Sequence, residues 1–261
     1  VSQRALCLLV LAGVASGCEP ELVVGKRVVV EESTCVPEDG GVPLLEKVVE
    51  VPWSTGFEDG ICDYRRAGGF CFNDPGAVYE FVEDPVHGGN RSAAFLVSSD
   101  PAADAKQTRC FLEGQLPTEA VYGAWFYVPE LATNTGNWNL VHFQGGVPPM
   151  LHGLWDVSLG SAPDGSLYLY IFDFLGSGVR TPDAPPEVPI GSWFHVEFRL
   201  RRAADATGEV ELRQDGVLVM ALTGVVTDDT DFGQWYVGNL VDDLTPPEST
   251  VYVDDVTTRA P

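Results

Sequence analysis

Trp193–Leu200 reads WFHVEFRL. Laid out as a strand, it turns Phe194, Val196, Phe198 and Leu200 one way and Trp193, His195, Glu197 and Arg199 the other. That alternation belongs to a sheet with one buried and one wet face. Next comes VELRQDGVLVMAL, Val210–Leu222, two runs joined by Asp215-Gly216. The dipeptide is a hairpin signal because both turn positions want positive φ. Further outward, short apolar or alternating runs recur between Gly, Pro, Asp and Asn breakers. They predict strands near 77–82, 92–98, 121–128, 138–143, 154–159, 167–174, 234–240 and 251–257. There is no long amphipathic helix pattern and no internal repeat. The expected fold is all-β, a two-sheet antiparallel sandwich.

The run Ser166–Phe174, SLYLYIFDF, is apolar on both faces. Leu167, Leu169, Ile171 and Asp173 take one side; Tyr168, Tyr170, Phe172 and Phe174 take the other. If the aliphatic side fills the sandwich, Tyr168 and Tyr170 line its concave surface, where rings suit stacking on sugars. Phe172 and Phe174 are expected beneath a loop such as TPDAPPEVP, Thr181–Pro189.

With 38 acidic against 15 basic residues, the 261-residue chain carries −23. Such a surface repels phosphate backbones, so nucleic acid is not an expected partner. A hydrophobic fraction of 45% supplies a sizeable core. The opening VSQRALCLLVLAGVASGC has one cation, Arg4, then an apolar run and small residues, the plan of an export signal. Its ending, Ala15–Cys18, resembles the lipobox of bacterial lipoproteins. That resemblance implies acylation of Cys18 and a lipid-anchored place in the cell envelope, at the outer membrane or cell surface. The expected organisation is a signal over 1–17, a Val- and Glu-rich tether or strand segment over 18–50, and one domain over 51–261. Cys35, Cys62, Cys71 and Cys110 remain for disulfides, with three possible connectivities. Cys62–Cys71 with Cys35–Cys110 is the preferred pairing. No spacing suggests zinc.

Several stretches, taken in order, resemble the concanavalin A-like jelly-roll superfamily. They are PWSTGFEDG (Pro52–Gly60), HGGNRSAAFLV (His87–Val97), VYGAWFYVPE (Val121–Glu130), GSWFHVEFRL, GEVELRQDGVLV and STVYVDDVTTR (Ser249–Arg259). The resemblance implies a structural Ca2+ where the first and last strands meet. The matching residues are Glu58 or Asp59, Asp254 or Asp255, and Asn90 near the HGG turn.

The glucanases of that superfamily carry E-x-D-x-x-E, two carboxylates held close for retaining hydrolysis. No such stretch occurs here. Alginate-lyase-type enzymes instead need groups that neutralise a uronate carboxylate and a Tyr or His for proton transfer. Similarity to them implies Arg109 in TRCFLEG, His142 and Gln144 in WNLVHFQGG, and Tyr236 in FGQWYVGN. Period two puts Trp138, Leu140, His142 and Gln144 on one face, and His152 with Asp156 on another. The first expectation is a monomeric, exported carbohydrate-binding protein. It holds an oligo- or polysaccharide on Trp138, His142, His152, Asp156, Tyr168 and Tyr170. The alternatives are a polysaccharide lyase acting on a uronate polymer by β-elimination, and a non-catalytic structural or adhesion module.

Overall fold

A computed structural model describes residues 27–28, 35, 44–176, 178–228 and 230–261. The signal-like stretch and Cys18 lie outside the described residues. The chain is a sandwich of a nine-stranded and an eight-stranded sheet, with a two-stranded ribbon beside them. The larger sheet runs Arg27–Val28, Val78–Val82, Ser92–Ser98, Glu248–Arg259, Glu119–Tyr127, Trp193–Arg201, Gly208–Gln214 and Val217–Val225, with Trp53–Thr55 also on Glu248–Arg259. The smaller runs Gly178–Arg180, Leu167–Asp173, His152–Ser161, Trp138–Gly145, Phe232–Val241, Gln107–Gln115 and Phe70–Asn73, with Glu187–Val188 also on Leu167–Asp173.

The alternation in WFHVEFRL is the reason for this layering. Phe194, Val196, Phe198 and Leu200 are buried between the sheets. From the other sheet Phe143, Trp155, Leu169, Ile171 and Trp235 come to meet them. Asp215 and Gly216 both adopt positive φ at the hairpin, as the turn requires. The strand Val217–Val225 ends the larger sheet, with Val217 57% and Leu218 48% exposed.

Two points differ from the sequence reading. The disulfides are Cys35–Cys62 and Cys71–Cys110, not the preferred pairing. Cys71 and Cys110 lie directly opposite one another on adjacent strands, so they bond to each other. Gln107–Gln115 is a strand that the alternation did not reveal, because Arg109 and Glu113 alternate with Phe111 on its outward side. The described parts of the 18–50 tether join the sandwich: Arg27–Val28 pairs with Val78–Val82, and Val48 bridges to Gln115. Among the described residues one α-helix, the five-residue Cys62–Arg66, sits between strands.

Candidate functional site

The site lies on the face of the smaller sheet turned away from the core, and two bulges decide which residues reach it. In Trp138–Gly145, Asn139 pairs with Ser158 and Val141 with Val157, so Leu140 is the extra residue. A bulge of this kind resets the alternation. Trp138, Leu140, Val141 and Phe143 therefore all enter the core, while His142 and Gln144 face outward. Trp138 is thus corrected from ligand contact to core residue; its Nε1 donates to Asn239 Oδ1 at 3.1 Å. Leu154 is a second extra residue, between the pairs Gly153–Gln144 and Trp155–Phe143. It turns His152 away from Asp156, correcting their shared face. His152 instead packs near Gly145 and Gly146, beside Met150 and Phe232 in a cavity of about 440 Å³.

What remains is a compact group. His142 is paired across the strands with both Asp156 and Tyr236. The Asp156 carboxylate meets His142 Nδ1, both side chains being nearly buried. The Tyr236 hydroxyl is 2.9 Å from Gln144 Oε1 and also meets Gln234 Oε1. Gln234 Nε2 donates to Glu113 Oε2 at 2.9 Å, and Lys47 Nζ stands 3.5 Å from Glu113 Oε1. Burial pushes the Tyr236 phenol well above its ordinary range, and Arg109 pulls it partly back.

Arg109 is the unusual member. It is 5% exposed, and its Nε has no hydrogen-bond partner. Its guanidinium lies 5.8 Å from the centre of the Tyr236 ring. Burial lowers its pKa to about 10, against the attraction of Asp156, Tyr236 and Asp74. It is still a cation at neutral pH, held in the protein with no ion pair to a described carboxylate. Burying such a charge unpaired is costly, which makes it a strong acceptor site for an anion.

The aromatic strand behaves as expected on one face and differently on the other. Leu167, Leu169 and Ile171 are core. Tyr168 lies flat over Gly160: a Cβ there would be 2.5 Å from Tyr168 Cζ. Tyr170 is 9% exposed, with its hydroxyl 3.5 Å from Asn137 Oδ1. Phe174, expected under a loop, is 46% exposed and lies over Gly153 with its ring 6.0 Å from that of His142. The sequence reading also missed Phe70, Phe72, Phe111 and Gln234. Period two from Arg109 gives Phe111 and Glu113, and from Tyr236 it gives Gln234 and Phe232, so the signal was present once both strands are recognised.

The residues matched to calcium come together only in part. Glu58 accepts hydrogen bonds from the Asn90 and Arg91 amides, at 2.7 and 3.2 Å. Asp254 accepts from the His87 and Gly88 amides, at 2.8 and 3.1 Å. Asp255 Oδ2 is 2.6 Å from His87 Nδ1, and Asp59 turns away to Arg66. Donor N–H groups, not spare oxygens, face these carboxylates. Among the described residues no group of three His, Cys, Asp or Glu could hold a metal ion.

No protein-family model and no curated protein matches the sequence. Solved structures do share its fold. An endo-β-1,4-glucuronan lyase from the fungus Trichoderma reesei superimposes with a TM-score of 0.62 at 16% identity, covering 80% of this chain and 95% of that one. A cellulose-induced protein, Cip1, gives 0.56 at 13%, covering 80% and 97%. The marine PL-14 alginate lyase from Aplysia kurodai gives 0.56 at 9%, covering 81% and 100%.

Proposed function

We propose that the protein is a polysaccharide lyase that cuts a uronate-bearing glycan by β-elimination. The observation that carries this reading is the buried, unpaired Arg109 guanidinium beside His142, Gln144 and Tyr236. The likeness to uronate lyases agrees with it. The reading displaces simple glycan holding, which the sequence put first, because a binding face alone has no need of a buried His–Asp pair beside an unpaired cation.

The chemistry follows from the donors. Arg109 binds the uronate carboxylate and, with the Gln144 amide, spreads the charge that builds there when the C5 proton leaves. Asp156 accepts the Nδ1 proton of His142, which leaves the lone pair on Nε2. Nε2 takes the C5 proton. The C–H pair becomes the C4=C5 double bond as the C4–O4 bond breaks. Tyr236, kept protonated by burial, gives its proton to the departing oxygen. The products are a new reducing end and an unsaturated non-reducing end.

The test is ultraviolet absorbance of the unsaturated product across a panel of uronate polymers. Activity in the parent chain and its loss in His142→Ala are expected; a folded protein silent on every polymer removes the reading. Export and lipidation of Cys18 belong to the same proposal, and two disulfides agree with an oxidising compartment. Cys18→Ser is expected to shed the protein from the membrane fraction.

A further inference from the structure

The outward face of the smaller sheet carries one continuous file of rings. From the edge strand inward, neighbouring centroids lie 4.2 Å apart for Phe70 and Phe111, 4.9 Å for Phe111 and Tyr236, and 5.3 Å for Tyr236 and His142. The file continues at 6.0 Å from His142 to Phe174 and 4.7 Å from Phe174 to Phe172. It runs across the strands, so a glycan laid along it would meet one ring after another.

Charge along this file is sparse and lopsided. Arg109 sits near its middle without a carboxylate partner. Asp156 is taken by His142, and Glu113 by Gln234 and Lys47. Arg65 stands 5.5 Å over the Phe70 ring and has partners of its own. So one carboxylate can be neutralised at the centre, and phenylalanine flanks that place on both sides. A ring face is the negative part of its quadrupole: it attracts the C–H face of a sugar and repels a carboxylate. A polymer charged at every unit would set further carboxylates over these rings, desolvated and unmatched, on a protein of net charge −23.

We infer that the site takes a glycan in which a single 4-linked uronate is flanked on both sides by neutral sugars, in preference to a homopolyuronate. This rests on the lyase reading for its reaction, but the binding preference can be measured apart from it. Isothermal titration of the full-chain Tyr236→Phe variant, which keeps every ring of the file and the His142–Asp156 pair, would compare three oligosaccharides of equal length at ordinary salt: one uronate between neutral hexoses, its carboxyl-reduced counterpart, and an all-uronate chain. The mixed oligosaccharide is expected to bind roughly tenfold tighter than either other. Arg109→Gln should erase its advantage over the carboxyl-reduced chain, while Phe70→Ala and Phe172→Ala each weaken both by about threefold to tenfold. All-uronate binding that equals or exceeds the mixed chain overturns the inference. Preference for the mixed chain without unsaturated product from the parent protein on any polymer removes the lyase reading and keeps the single-carboxylate site. Folded protein that binds none of the three removes both.

Discussion

Tyr236 offers the narrowest test of the chemistry, because Tyr236→Phe deletes one oxygen and leaves the ring contacts with Phe111 and His142. Turnover is expected to fall by roughly 10² to 10⁴, with the melting midpoint little moved. Asp156→Asn tests positioning. An amide can donate to His142 Nδ1 and hold the wrong tautomer, so kcat should drop while KM for the mixed glycan stays close to that of the parent. A separate residue-level effect concerns Asp254. Burial raises its pKa to about 6, against hydrogen bonds from the Gly88, His87 and Asp255 amides and with Asp255 adding repulsion. A carboxyl whose folded pKa exceeds its unfolded value favours folding when protonated. Its contribution is therefore full below pH 4 and is lost as pH rises toward 6, a change of about 3 kcal/mol. In chelator-treated buffer, the melting midpoint of the parent relative to Asp254→Asn should decline across that window. Parallel curves would show that Asp254 is not held this way.

At the scale of strands, the faces follow from two residues. Leu140 and Leu154 are ordinary apolar letters in ordinary strands, and nothing in their sequence marks a bulge. Period two therefore placed His142, Gln144 and Asp156 correctly on the outward side, yet carried Trp138 and His152 along with them. Tyr236 and Arg109 came from the resemblance to lyases, not from the strand pattern. The strand that holds Arg109 was not, since its outward positions mix charge and ring and so mask the inward Cys110 and Leu112. The alternation at Trp193–Arg201 survives intact because both faces are of one kind: apolar within, ionic or aromatic without. The disulfide Cys71–Cys110 ties the four-residue strand Phe70–Asn73 to the Arg109 strand. Its closed loop spans 39 residues of separation. Replacing both cysteines by serine should cost about 4 kcal/mol by loop entropy, read as a lower denaturant midpoint. Binding of the mixed oligosaccharide should weaken in parallel, because Phe70 and Phe72 lose their anchor.

At the scale of the whole molecule, the net charge and the charge of the proposed uronate substrate share a sign. For most enzymes of polyanions, salt weakens binding; here the ordering should reverse for an all-uronate chain. Raising ionic strength from 0.01 to 0.15 M shortens the screening length from about 30 to 8 Å. KM for such a polymer should fall over that range, while KM for a glycan with isolated uronates changes little. A KM that climbs with salt for both would show that local cations outweigh the overall field.

The strand Val217–Val225, VLVMALTGV, closes the larger sheet without a charge or a proline of its own. A long uncharged border of this sort is a ready template for a second copy laid alongside it. At neutral pH the −23 of each molecule keeps two copies apart. Near pH 4.2, where that charge is smallest, strand-to-strand pairing of two copies is least opposed, and Leu218→Lys should restore clear solutions there. The excess of acid expected to disfavour an all-uronate chain is thus also the safeguard of an otherwise sticky rim.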